Sequence, residues 1–249
     1  MRTTDAEAWN RLCDGPGGPG LVFRRGIGLA LELSEAFIEP GRRWLDIGCG
    51  TGRLLGGLSG AGAAAAGIDL NPRMLALARQ HAPSIPLAVA RAGQLPFGVS
   101  TFDGVTATSL MGCVDEAVPV CAEIRRVLTP RGHALVTFTN RDSGLLKLNY
   151  AFGRRRGEGY RLYGASEVVA ALEGLGFEVR RVRFYNFVLN AGTRAFPPAG
   201  LARRLECSGP SWLASRLARN FIVVARAGAA SVAYSGAPPS CIQPSGDPR

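Results

Sequence analysis

Histidine is nearly absent from this chain: His81 and His133 are the two in 249 residues. Two histidines cannot furnish a histidine-rich metal centre, and they leave little choice for a histidine general base. The six cysteines, at 13, 49, 113, 121, 207 and 241, form no C-x-x-C pair and match no metal-ligand spacing. No metal is expected, and reduced thiols in a cytoplasmic protein are the expected state. No apolar run approaches the roughly 18 residues of a membrane-spanning helix. Residues 1–10 carry acids and no apolar stretch, unlike a secretory signal. No G-x-x-x-x-G-K-[ST] string occurs, which excludes a P-loop for nucleoside triphosphates. Lysine is reduced to Lys147, so nearly all positive charge is arginine.

What is present is a globular composition, 47% hydrophobic with mean hydropathy +0.10, enough for one sizeable α/β domain. Residues 44–52 read Trp-Leu-Asp-Ile-Gly-Cys-Gly-Thr-Gly. An apolar run turns into glycines at alternate positions, the pattern of a buried strand feeding a tight loop that opens a helix. Glycine there permits positive φ and lets a ligand approach the main chain. Asp69 ends the next apolar run, 17 positions after Gly52. It can therefore reach a ribose held over the glycine loop. The spacing is G-x-G-x-G rather than the dinucleotide G-x-G-x-x-G.

Around this loop, apolar runs and helical patterns alternate. Strands are expected at 43–47, 63–68, 86–90, 102–107 and 132–138, and helices near 53–59, 72–80 and 116–127. Such alternation implies a parallel sheet with helices on both faces. Residues 1–42 read as an N-terminal helical cover, broken by the Gly/Pro run 15–20, with its second helix ending at Pro40-Gly41. Residues 165–175 read as a helix, 177–187 as a strand and 221–225 as a last strand. The connections 140–163 and 188–219 are long for an α/β unit, and long connections often carry binding functions. The Ala, Ser, Gly and Pro tail 228–249 is expected to be disordered.

Four strings in order resemble one family. Residues 45–52 resemble the first motif of the class I S-adenosylmethionine-dependent methyltransferases, small-molecule or lipid type. Residues 67–75, Gly-Ile-Asp-Leu-Asn-Pro-Arg-Met-Leu, resemble the second-strand motif. Leu95-Pro96-Phe97 with 101–103 resembles the loop into the fourth strand, and 123–132 the helix and turn before the fifth. The resemblance implies a Rossmann-like, seven-stranded, mostly parallel sheet with helices on both faces and the last strand antiparallel. The methyltransferase domain would span 43–227, with 140–163 and 188–219 as substrate-side insertions. It implies S-adenosyl-L-methionine as cofactor. Asp46 would orient its methionine amino group, and the backbone of Gly48, Cys49, Gly50 and Gly52 would approach it. Asp69 would accept from both ribose hydroxyls. Leu70 would pack on the adenine edge, Ala92 would serve adenine through its backbone, and Ser109 would line the methionine end.

The chain departs from the family in two places. Arg91 stands where many relatives carry an acid for the adenine amino group; Gln94 offers an alternative acceptor. Gly112 and Cys113 stand where relatives often have histidines. No catalytic residue is named on this basis. Methyl transfer would rest on alignment and desolvation of the acceptor, since the sulfonium already activates the methyl group.

Charge is uneven. Residues 1–140 hold 13 basic and 12 acidic side chains, residues 141–249 hold 16 and 7. The basic half suits acidic acceptors or anionic surfaces. Tyr150, Arg154, Arg155, Arg156, Tyr160 and Tyr163 are therefore the candidate substrate residues. The expected partner is a small-molecule or lipid acceptor, with an acidic group and peripheral membrane contact both compatible. A nucleic-acid methyltransferase is the alternative prompted by charge, but no Asn/Asp-Pro-Pro-Tyr/Phe motif occurs. A non-catalytic cofactor-binding protein is the other alternative, and intact Asp46, Asp69 and glycines weigh against it.

Overall fold

The computed structural model describes residues 6–15, 18–151, 161–187, 189–191, 194–196, 200, 202, 204, 206 and 211–229. Two helices lead, α1 (Ala6–Asp14) and α2 (Gly18–Glu35). Then come β1 (Arg43–Ile47), α3 (Arg53–Gly60), β2 (Ala64–Asp69), α4 (Pro72–His81), β3 (Leu87–Val89) and β4 (Phe102–Ala107). They are followed by α5 (Ala117–Val127), β5 (Leu128–Thr139), α6 (Gly144–Ala151), α7 (Ala165–Gly174) and β6 (Phe177–Tyr185). A short hairpin, β7 (Leu189–Ala191) and β8 (Arg194–Phe196), precedes α8 (Ser211–Leu217) and β9 (Asn220–Ala227).

Seven strands form one sheet in the order β3-β2-β1-β4-β5-β9-β6. β1 to β5 pair in parallel, and β9 runs antiparallel to both β5 and β6. This is the mixed Rossmann-like sheet implied by the sequence. Chain order reverses between β1 and β4, so the crevice at their carboxyl ends is the topological switch point, where α/β sheets bind ligands.

Strand periodicity sorts the core into two layers. Leu45, Ile47, Val105, Val136 and Val223 face α5 and α7, represented by Ile124 and Val168. Trp44, Leu135, Ile222 and Val224 face α2, α3 and α4, represented by Leu29, Leu54 and Leu75. Each such side chain contributes about 1.5–3 kcal/mol when fully buried. Two strand glycines are packing requirements. A Cβ on Gly104 would lie 2.3 Å from the Trp44 ring, and one on Gly67 would lie 2.6 Å from Leu55.

Local chemistry sets several ends. Asn71 caps α4 by accepting from the Arg73 N–H at 3.0 Å, and Pro72 occupies the first turn. α2 stops at Glu35 rather than at Pro40-Gly41. The Ser34 carbonyl turns the chain by accepting from the amides of Phe37 and Ile38. Phe37 then stacks on His133 with ring centroids 4.0 Å apart. The connections after β5 and β6 contain structure of their own, α6 in the first and the β7–β8 hairpin and α8 in the second. The tail beyond Ala229 lies outside the described residues.

Candidate functional site

The glycine loop leaves β1 at the switch point with Gly48, Gly50 and Gly52 at φ +69°, +54° and +78°. Side chains avoid this region of backbone space, which explains glycine at all three. Their surroundings differ. A Cβ on Gly48 would meet Leu110 at 2.9 Å, and one on Gly52 would meet Ala78 of α4 at 3.1 Å. Gly50 has nothing within 4 Å and opens onto the crevice. Gly52 lines neither cavity described below; its place is a helix contact, not ligand approach.

The loop is bonded to the end of β2. The Ile68 carbonyl accepts from the amides of Gly48 and Cys49 at 2.8 and 2.9 Å. Those two N–H groups are thus already engaged. Asp69 is 8% exposed, and its carboxylate accepts from the Gly50 N–H at 3.0 Å and from the Asn71 N–H at 2.8 Å. These bonds fix the orientation of the carboxylate and use two of its four lone-pair directions. The others are available to a pair of hydroxyls.

Two cavities meet over the loop and share Gly48, Asp69, Leu110 and Cys113. The larger, about 530 Å³, lies against the start of α5 and is bordered by Leu70, Arg91, Ala92, Gln94, Asp115 and Glu116. The 91–94 turn closes on itself, the Gln94 N–H donating to the Arg91 carbonyl at 3.1 Å. Its neighbour, the 95–97 loop, is clamped from α5. Glu123 accepts from the Leu95 N–H at 2.6 Å and from Arg126. Arg126 also donates to the carbonyls of Phe97 and Leu95 at 2.7 and 3.1 Å. The Arg126 bond holds the Glu123 carboxyl below its usual range. This clamp explains why the strings at 95–97 and 123–126 occur together. Asp115 and Glu116 bring two carboxylates to the wall that Arg91 leaves without one.

The smaller cavity, about 110 Å³, lies on the other side of the loop. Asp46, Thr51, Thr108 and Ser109 form its polar floor, and Trp9, Phe23 and Ile27 of the two leading helices form its roof. Trp9 and Phe23 meet edge to face, ring centroids 5.5 Å apart. Asp46 is buried and accepts from the Thr106 hydroxyl at 2.8 Å. Burial pushes its carboxyl up to about 7, with the nearby Asp69 adding to the rise and the Thr106 bond opposing it. Ser109 follows β4 in a left-handed conformation, φ +55°, held by its N–H donating to Thr137 Oγ1 at 2.7 Å. Strained residues of this kind concentrate at functional sites.

Cys49 is buried beside Asp46 and Asp69, and burial first, then those charges, push its thiol up. His81 is hydrogen-bonded to the carbonyls of Thr51 and Leu77, both at 3.1 Å. His133 lies under Phe37, lowered by burial and by Arg226 and Arg180. Among the described residues there is no group of three or more His, Cys, Asp or Glu fit for a metal.

The crevice collects Asp46, Gly48, Cys49, Gly50, Asp69, Leu70, Ala92 and Ser109. The expected substrate residues fare differently. Tyr163 is 3% exposed, its hydroxyl donates to the Met111 carbonyl at 2.9 Å and its ring packs on Phe138. It supports the loop at Met111 and borders neither cavity. Tyr150 borders neither cavity. Arg154, Arg155, Arg156 and Tyr160 lie outside the described residues. The roof residues Trp9, Phe23 and Ile27 carry no motif, and neither does Arg53 beside them. The one available signal was that Arg53 directly follows the glycine loop.

Comparison with known proteins finds relatives of this fold. A family profile described as a methyltransferase domain matches residues 45–136. A demethylmenaquinone methyltransferase of Mycobacterium sp. (strain KMS) is 30% identical over 177 residues, 69% of this chain and 69% of that protein. A ubiquinone biosynthesis O-methyltransferase of Alkalilimnicola ehrlichii is 32% identical over 107 residues, 41% of this chain and 43% of that one. The chain spans about half the length of several curated relatives it matches. In fold it is similar to a SAM-dependent methyltransferase structure from Methanosarcina mazei, with 19% identity, TM-score 0.60, and 79% and 97% of the two chains covered.

Proposed function

The chain belongs to the class I S-adenosylmethionine-dependent methyltransferases, and from that membership we propose that it methylates a small-molecule acceptor held under the leading helices. The observation that carries this reading is Gly50. It is left-handed, open to the crevice, and joined by its N–H to a carboxylate that both cavities share. A side chain at 50 would fill the space that a ligand needs. The residues present fit the cofactor: Asp69 for the ribose hydroxyls, Leu70 and Ala92 for the adenine, Asp46 for the ammonium group. When bound, S-adenosylmethionine supplies a methyl group on a positively charged sulfur.

The chain's own contribution is alignment and exclusion of water. The roof of Trp9, Phe23 and Ile27 is apolar, and a flat, apolar ring suits it. Relatives named for demethylmenaquinone and ubiquinone biosynthesis make quinone-type rings the first acceptors to test. Both histidines have other contacts, so no residue is assigned as general base, and an acceptor that ionises readily is favoured. Acceleration then comes from proximity in a dry site. No described helix is long and apolar enough to cross a membrane. A cytoplasmic location with peripheral contact to an anionic surface belongs to the same proposal, supported by the basic second half and by exposed Leu148 and Trp212.

Calorimetry tests the cofactor site. Gly50→Val closes the open space, and Asp69→Ala removes charge-assisted bonds of about 1.5–3 kcal/mol each. Each variant should bind S-adenosylmethionine about tenfold more weakly or worse. Unchanged binding in both would place the site elsewhere. Transfer of labelled methyl groups to a panel of hydroxylated and quinone-type rings then tests the acceptor class.

A further inference from the structure

Buried polar side chains gather under α2 at the carboxyl ends of β5 and β6. Thr137 accepts from the Ser109 N–H at 2.7 Å and shares a hydrogen bond with the Tyr185 hydroxyl. Both Thr137 and Tyr185 are buried, and neither borders a cavity. Beside Tyr185, Glu206 accepts from the Asn186 N–H at 2.9 Å and from Arg25 Nε at 2.7 Å. The Asn186 side-chain amide donates to the Val22 carbonyl at 3.3 Å. Val22 and Arg25 belong to α2, so the contacts run from the helix that carries Phe23 and Ile27 to Ser109 on the cavity floor. Gly26 of α2 sits on the tyrosine. A Cβ there would lie 3.3 Å from the Tyr185 hydroxyl oxygen and 3.5 Å from its ring. Glycine weakens a helix interior, and here it lets α2 settle on that hydroxyl.

We propose that Tyr185 and Thr137 are positioning residues for the acceptor, setting the gap between Phe23 and Ile27 above and Ser109 below. The proposal rests on the methyltransferase reading above and extends it to the fit of the acceptor. Thr137 fixes the floor, because its oxygen holds the N–H of left-handed Ser109. Tyr185 fixes the roof, because its hydroxyl meets Gly26. One hydrogen bond joins the two, so floor and roof are referenced to the same buried pair. A satisfied buried network of this kind specifies one geometry. The cofactor carboxylates stand apart from it. Asp46 is held by Thr106, and Asp69 by the amides of Gly50 and Asn71.

Equilibrium binding to the full chain separates acceptor fit from cofactor binding. One probe is S-adenosylhomocysteine. The other is 2-naphthol, a flat hydroxylated ring, added to the chain already saturated with S-adenosylhomocysteine. In Gly26→Ala the better helix former crowds Tyr185. That variant should keep its melting temperature yet bind 2-naphthol about tenfold more weakly, the scale of modest overpacking. Tyr185→Phe removes the shared hydrogen bond and should weaken the ring by a similar factor of about ten. In the Tyr185→Phe background Gly26→Ala has no oxygen to crowd, and should change ring affinity by less than about twofold. Thr137→Ser keeps the hydroxyl and should match the wild type, whereas Thr137→Val should lose ring affinity. All variants should bind S-adenosylhomocysteine within about twofold of the wild type.

Unchanged 2-naphthol binding in Tyr185→Phe and Thr137→Val overturns the proposal. So does a parallel loss of both ligands, or additive losses in the double variant, since either would mean a general packing role. Should Tyr185→Phe fail to fold, Gly26→Ala decides: a stable variant with full ring affinity overturns the proposal. A wild type that binds S-adenosylhomocysteine but not 2-naphthol also overturns it and leaves the cofactor reading standing. A wild type that binds neither removes the methyltransferase reading itself.

Discussion

Asp46 concentrates the electrostatics of the site in one side chain. It is the penultimate residue of β1, buried from Trp44 onward, and its folded-state carboxyl is raised to about 7, chiefly by desolvation, from the ordinary 3.8. A raised carboxyl means that the folded state holds its proton more tightly than the unfolded one. Stability from this group is therefore complete below the unfolded value and is lost as pH rises towards 7. Asp46→Asn keeps an acceptor for Thr106 and removes the charge. The ligand-free variant should melt higher than the wild type at pH 8, with the difference vanishing near pH 4. Cofactor binding should show the opposite trend, because an ammonium pairs with the ionised form. Wild-type affinity for S-adenosylmethionine should rise between pH 6 and 8, and the Asn variant should lack that rise. A flat wild-type profile in calorimetry at several pH values would deny Asp46 contact with the ammonium. The sequence showed Asp46, Asp69 and the glycines because backbone geometry demands those residue types at those places. It did not show that Gly52 serves a helix contact, since only the position of Ala78 distinguishes it from Gly50.

At the scale of elements, the adenine wall depends on α5 more than on its own loop. Glu123 and Arg126 sit one turn apart on that helix and hold Leu95 and Phe97 by main-chain atoms. Arg126→Ala leaves two carbonyls and a carboxylate without this partner. Because the residues are part-exposed, water recovers some of the loss, and a cost of about 1–2 kcal/mol is expected. Thermal melts should show that decrease, together with weaker cofactor binding. Arg126→Lys cannot reproduce the forked contacts and should recover only part of it. Full cofactor affinity in Arg126→Ala would show that the 95–97 loop needs no clamp. The order of strands and helices was legible because periods of two and of about 3.6 differ plainly in a chain this apolar. Helix ends were less so. The end of α2 at Glu35 was hidden because its apolar pattern continues into the turn, and periodicity cannot distinguish a helix from a turn buried against the same layer.

For the whole molecule, charge divides the chain into a near-neutral first half and a second half with 16 basic and 7 acidic residues. On the described surface of the second half, Trp212 is 68% and Leu148 41% exposed. These are the ingredients of electrostatic attraction to an anionic surface combined with apolar insertion. Replacing Arg154, Arg155 and Arg156 with Ser, alone and with Trp212→Ser, should leave cofactor binding and melting temperature unchanged. Co-sedimentation with anionic vesicles should fall, and the difference should be larger at low ionic strength. Equal binding of all forms to anionic and neutral vesicles would return the charge to a solvated face. Salt-dependent binding to RNA without vesicle binding would favour the nucleic-acid alternative.

The sequence by itself determined the sheet, the glycine loop and the two carboxylates beside it. These follow from local rules: glycine where φ is positive, an acid where a strand ends, a continuous apolar run where a strand has two buried faces. Tertiary structure decided what surrounds the loop. Trp9, Phe23 and Arg53 come together because α1 and α2 fold back over the carboxyl ends of strands that begin some thirty residues later. Tyr163 was a candidate substrate residue of a long connection, yet the Asn140–Tyr163 bridge draws it into the core. Neither outcome could be read from spacing. A motif records what the backbone requires of its own residues, whereas a roof over a cavity is made by contacts between segments that place no such demand on one another's sequence.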